Sequence, residues 1–141
     1  MFEAIQQQVV DVLANDARLS DGLRQAVARV WYGRVRQAPA WAAVGVELRT
    51  VAPQAAVAGG TPAYHRLSFD VEGQVVVMEA PGESDREAHR LADNIRTVLT
   101  DHLVEPGFWF GAEIGAARFG RMRDGELFRA TARVMVTVLV R

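Results

Sequence analysis

Apolar residues recur at three- and four-residue steps in two stretches of this chain. Phe2, Ile5, Val9, Val12 and Leu13 make one face of a helix over about residues 2–14, and Asn15-Asp16 is its stop. Ala88, Leu91, Ala92, Ile95, Val98 and Leu99 make the buried stripe of a second helix that runs to about residue 102. Ser84-Asp85-Arg86-Glu87 precedes that stripe and reads as a capping box, with Pro106-Gly107 closing the segment.

Alternation with period two predicts the strands. Val30-Trp31-Tyr32 favours a strand over about 29–35, after a loop or short helical turn. In residues 41–51, Ala42, Val44, Val46 and Leu48 point one way while Glu47 and Arg49 point the other. Residues 64–79 alternate most regularly: His65, Leu67, Phe69, Val71, Gly73, Val75 and Val77 share one side. That register runs through Gly73, which favours one long strand over a hairpin turning at Glu72-Gly73. Residues 113–123 and 126–140 read as a hairpin around Asp124-Gly125. Phe128, Ala130, Ala132, Val134, Val136, Val138 and Val140 form its core side. Leu127, Arg129, Thr131, Arg133, Met135 and Thr137 form the other, and this turn would set Arg118 opposite Thr131.

The order helix, three strands, helix, two strands predicts an α+β domain: two amphipathic helices on one face of a mostly antiparallel sheet. A single domain over residues 1–141 is expected. Residues 52–63, APQAAVAGGTPA, carry two prolines, two glycines and no charge. They read as a loop or long hairpin arm, mobile in the free chain. Either it is a loose connection, or it orders against a neighbouring subunit through residues such as Val57, Gly59 and Gly60.

Composition narrows the chemistry. The absence of cysteine excludes disulfide scaffolds, zinc–thiolate sites and thiol nucleophiles. All sixteen basic residues are arginine, so Schiff-base and Walker lysines are excluded too. A net charge of −1 argues against a protein that grips phosphate backbones. No apolar run reaches the ~18 residues of a membrane span. The first residues do not read as a secretory signal, so a soluble chain made in the cytoplasm is expected.

Chemistry-bearing residues do not converge. His65 sits on the apolar register of its strand, as a hydrogen-bonded core or edge histidine would. His89 and Asp93 share a helix face but have no third ligand at suitable spacing, and His102 meets the negative end of the helix dipole. Ser20, Ser68 and Ser84 lie in a turn, a strand and a cap, none in a nucleophile elbow. No catalytic residue, cofactor or metal is expected.

Two features point to interaction instead. Phe108-Trp109-Phe110 lies in a loop bracketed by Gly107 and Gly111; either it plugs the sheet end or it exposes aromatic anchors. Arg118, Arg129 and Arg133 share a sheet face that no helix covers. That face is either simply wet or a contact between subunits.

The layout resembles the tail-terminator (tail-completion) proteins of long-tailed bacteriophages and phage-like particles. The resemblance rests on the short N-terminal helix, VWYGRVRQAPAWAAVGVEL (30–48), the Pro/Gly arm, HRLSFDVEGQVVVMEA (65–80), REAHRLADNIRTVLTDHL (86–103) and ELFRATARVMVTVLVR (126–141). It covers nearly the whole chain as a pattern, without a diagnostic motif. It implies a non-enzymatic virion protein that caps the head-proximal end of the tail tube as a ring, usually a hexamer. The ring would stop tube polymerisation and dock the head–tail connector, while DNA passes through without specific binding. On that basis the arm and the 105–111 loop would meet neighbours or the tube. Arg118, Arg129 and Arg133 would line the lumen or bridge subunits. The alternatives are another phage neck or head–tail joining protein and, from a different class, a small-molecule-binding α+β domain. If Trp109 is an anchor, Trp109→Ala weakens docking by about 2 kcal/mol or more in a tube-binding titration. Unchanged docking by a folded variant removes it from the contact.

Overall fold

The computed structural model describes residues 2–24, 26–35, 42–55, 62–77, 81–103, 111–124 and 127–140. The elements are α1 (Phe2–Asn15), a 3₁₀ turn (Ala17–Ser20), β1 (Val30–Tyr32), β2 (Ala42–Ala55), β3 (Pro62–Val77), α2 (Pro81–Leu103), β4 (Gly111–Asp124) and β5 (Leu127–Val140). The fold is α+β, with two helices and a five-stranded sheet of order β1-β2-β3-β5-β4. All neighbours pair antiparallel except β1, which lies parallel to β2 through Val30↔Val44 and Tyr32↔Val46.

Period-two burial makes one side of the sheet apolar. Leu67, Phe69 and Val71 of β3 and Ala132, Val134, Val136 and Val138 of β5 are fully buried there. All but Ala132 join Val44 and Val46 of β2, Ile5, Val9 and Leu13 of α1, and Leu91, Ile95, Val98 and Leu99 of α2 in one core, while Ala132 packs with Ala88, Ala92 and Ala130. Gln6 of α1 is also buried, and its amide donates to the Val46 carbonyl at 2.9 Å. The same carbonyl accepts the Gly33 N–H at 2.6 Å. A buried polar group with its partner supplied fixes α1 against the edge of β2.

β3 is one continuous strand, as the unbroken register predicts. Gly73 serves packing within it: a Cβ there would lie 2.7 Å from Leu91 Cδ2 and 3.4 Å from Ile95 Cδ1. The missing side chain lets α2 settle close onto the sheet.

α2 begins earlier than the capping box suggests. Pro81, which is suited to a first helical turn, starts it, so Ser84 lies inside the helix and not at its cap. Glu87 does not serve the cap either. Its carboxylate is buried and accepts the Arg24 N–H at 3.2 Å. Asn94, two turns on, donates to the Leu19 and Asp21 carbonyls at 3.0 and 2.8 Å. Arg18 bridges from the 3₁₀ turn to Asp101, two turns further again. Positions 87, 94 and 101 repeat every seven residues and so share one side of the helix. This polar stripe holds residues 16–24 beside the apolar one.

The β4–β5 hairpin differs from expectation by a shift. Its ladder closes at Asp124↔Leu127, so residues 125–126 join the strands and Gly125 lies outside the described residues. Arg118 therefore stands opposite Arg133, not Thr131. A two-residue slide keeps the same side of the sheet, so Arg118 remains on the polar face. A bulge lies between Ile114 and Ala117, where Gly115 and Ala116 together oppose Met135.

Gly73→Ala is expected to destabilise the fold by about 1 kcal/mol or more, because overpacking against Leu91 outweighs the alanine's better backbone preference. Urea denaturation reads this as a lower midpoint. A midpoint unchanged from the parent would show that Leu91 can swing aside.

Candidate functional site

The side of the sheet opposite the core is polar. β2 contributes Glu47 and Arg49, β3 contributes Asp70, Glu72 and Gln74, and β5 contributes Arg129, Thr131, Arg133 and Thr137, with Arg118 on edge strand β4. Near Gly45 the chain partly covers this side. Residues Gly33–Val35 lie there so closely that a Cβ on Gly45 would meet the Gly33 carbonyl oxygen at 2.7 Å and the Val35 nitrogen at 2.9 Å. Gly33 itself turns with φ +97°, a conformation glycine reaches without strain.

The arginines on this face have acidic neighbours. Arg133 meets Glu72, its cross-strand partner, at 2.9 Å, and Gln74 donates to the same carboxylate at 2.9 Å. Burial raises the Glu72 pKa; the hydrogen bonds from Gln74 and Arg133 outweigh that and hold it below the ordinary value. Glu47 and Asp70 are directly opposed, a like-charge pair that would repel. Arg49 lies between them, 3.4 Å from Glu47 and 3.5 Å from Asp70, and Arg34 approaches Glu47 at 3.7 Å. Acids predominate on β2 and β3, where Glu47, Asp70 and Glu72 stand with Arg49 and Arg66, and arginines on β5 and β4, where Arg129, Arg133 and Arg118 stand with Glu113. The sequence shows these acids as polar positions of their strands. Their meeting with the arginines depends on β3 pairing with β5, which no local pattern announces.

Of the three predicted arginines, Arg133 is paired within the chain, and Arg129 is half-buried beside it on β5. Arg118 is exposed and, among the described residues, has no ion-pair partner. Phe108, Trp109 and Phe110, and Val57, Gly59 and Gly60, lie outside the described residues. The flanks of the arm are paired strands: β2 reaches Ala55 and β3 starts at Pro62.

The histidines are dispersed. His65 meets Phe2 edge-on at 5.3 Å, and His89 stacks flat on the half-exposed Phe119 at 3.9 Å. His102 contacts Asp16 at 3.1 Å, in a cluster with Arg18. That cluster ties the 3₁₀ turn to the end of α2. Asp16 caps the turn by accepting the Arg18 N–H at 3.0 Å and holds the Arg18 guanidinium at 2.7 Å. The Arg18 hydrogen bonds hold the Asp16 carboxyl well below the usual carboxylate range.

Among the described residues, no group of three or more His, Asp or Glu is placed to hold a metal ion. No helix there is long and apolar enough to cross a membrane. A groove of about 540 Å³ opens beside Glu3, Ala4, Gln7 and Tyr32. The Arg29 guanidinium covers the Trp31 ring at 3.7 Å. No family model and no curated protein matches this chain.

The Asp16 cluster sets a pH dependence. A depressed carboxyl stabilises the fold above its unfolded pKa of about 3.9 and loses that contribution as pH falls toward its folded value. Asp16→Asn is therefore less stable than the parent near neutrality. The gap narrows below about pH 4. Thermal melts across pH check this; a gap independent of pH would mean that charge at Asp16 does not matter.

Proposed function

We propose that this chain is a structural virion protein of the tail-terminator kind. It caps the head-proximal end of a tail tube as a ring, most simply a hexamer, stops tube growth and offers a docking surface to the head–tail connector. The two helices lie on one side of the sheet and leave the other for contacts. The observation that carries the reading is the polar sheet face, on which acids predominate on β2 and β3 and arginines on β5 and β4. Such surfaces suit contact with other folded chains. A ring needs heterologous contacts that close on themselves, and a face with an excess of acids towards β2 and β3 and of arginines towards β5 and β4 supplies a polarity for them. The near-neutral total charge suits a lumen through which DNA slides. The 105–111 loop and the 52–63 arm are the proposed contacts to tube and neighbours.

The test is capping. Added to polymerising tube protein of its own particle, the chain is expected to halt elongation and decorate one tube end in electron micrographs. Tubes that grow on undecorated would overturn the proposal.

A further inference from the structure

β4 is an edge strand whose outer side pairs with nothing among the described residues. Its residues 111–120 read GAEIGAARFG and are centred on the bulge at Gly115–Ala116. Counted outward from that centre, Ile114 matches Ala117, Glu113 matches Arg118, and Gly111 matches Gly120. Ile114 and Ala117 oppose core residues Val136 and Val134, on the apolar side of the sheet. Glu113 and Arg118 oppose Thr137 and Arg133, on the polar side. The extra residue of the bulge makes each matched pair share a side, as a regular strand would not around a midpoint between residues.

A segment arranged this way is complementary to its own reverse, which is the requirement of a two-fold contact. Both charged members are exposed, and neither has an ion-pair partner among the described residues. Arg118 moreover faces Arg133 across the ladder, an unfavourable like-charge neighbour that an incoming carboxylate would offset. The bulge itself is already served, since Arg96 of α2 donates to the Gly115 carbonyl. Beside the edge, the Phe119 ring is half exposed and would gain cover.

We propose that two copies of this chain pair antiparallel along β4, residues 111–120 against 120–111, forming one continuous sheet. Glu113 of each copy meets Arg118 of the other, twice per dimer. The seam is isologous and does not depend on the tail-terminator reading, whose ring contacts are heterologous.

Light scattering over a concentration series of the full chain is expected to reveal a species of twice the 15.5 kDa chain mass. Glu113→Arg or Arg118→Glu alone places like charges at both symmetric contacts and should weaken the dimer about tenfold. The double variant E113R/R118E should restore it. A second variant exploits the absence of cysteine. In Glu113→Cys/Arg118→Cys, the two thiols of one chain stand roughly 13 Å apart along the strand, because the bulge takes up one residue. Only the proposed seam brings them within disulfide reach, so air oxidation should yield a covalent dimer. A monomer at every concentration, a dimer indifferent to the single reversals, a double reversal that fails to restore it, or no cross-link would each overturn the seam. Those outcomes leave tube capping to be judged by its own assay.

Discussion

The seating of α2 on β3 organises the molecule, and Gly73 makes it possible. At that point Leu91 packs so near the sheet that an added Cβ would stand 2.7 Å from its Cδ2. Once α2 is fixed there, its apolar stripe completes the core over β3 and β5. Its polar stripe at Glu87, Asn94 and Asp101 is then aimed at residues 16–24. The close approach on one side of the sheet leaves the other side to a different kind of chemistry.

That other side is held together by charge, and the magnitudes bound what the charges achieve. Exposed ion pairs contribute about 0–1 kcal/mol each, less in salt, so this array is a weak source of stability. Its effect lies more in direction. The excess of carboxylates on one half of the face and of arginines on the other gives the molecule an electrostatic polarity, which biases how a second body approaches. Arg118 stands on an edge strand whose outer side pairs with no strand among the described residues. Most edge strands carry charge to discourage pairing. Here the charges have opposite signs on the two flanks of the bulge, so they discourage a wrong register and favour one particular register.

Periodicity made much of the fold legible. The apolar faces of both helices, the unbroken run of β3 through Gly73 and the division of β5 into a core side and a polar side all follow from spacing. What spacing could not reveal is which strand lies beside which. The neighbours of the arginines were hidden for that reason: Glu72 and Arg133 are sixty-one residues apart and meet only through the β3–β5 ladder. The start of α2 was misplaced because Ser84 and Glu87 satisfy a local rule, while Glu87 has a tertiary partner in Arg24. Gln6 gave no signal at all; a buried glutamine looks like a surface one until its carbonyl acceptor is known. The hairpin register slid because a turn motif marks the region of a turn better than its two central residues.

The way α2 grips residues 16–24 carries a consequence of its own. Glu87 and Asn94 bind main-chain atoms of that segment: the Arg24 amide and the Leu19 and Asp21 carbonyls. Every amino acid except proline offers the same amide, and every one offers the same carbonyl. The helix therefore recognises the path of the segment with little regard to its spelling. Apart from Asp16, Arg18 and the buried Leu19, whose side chains carry contacts of their own, positions there can change while these main-chain anchors stay put, so the surface can drift without loosening its frame.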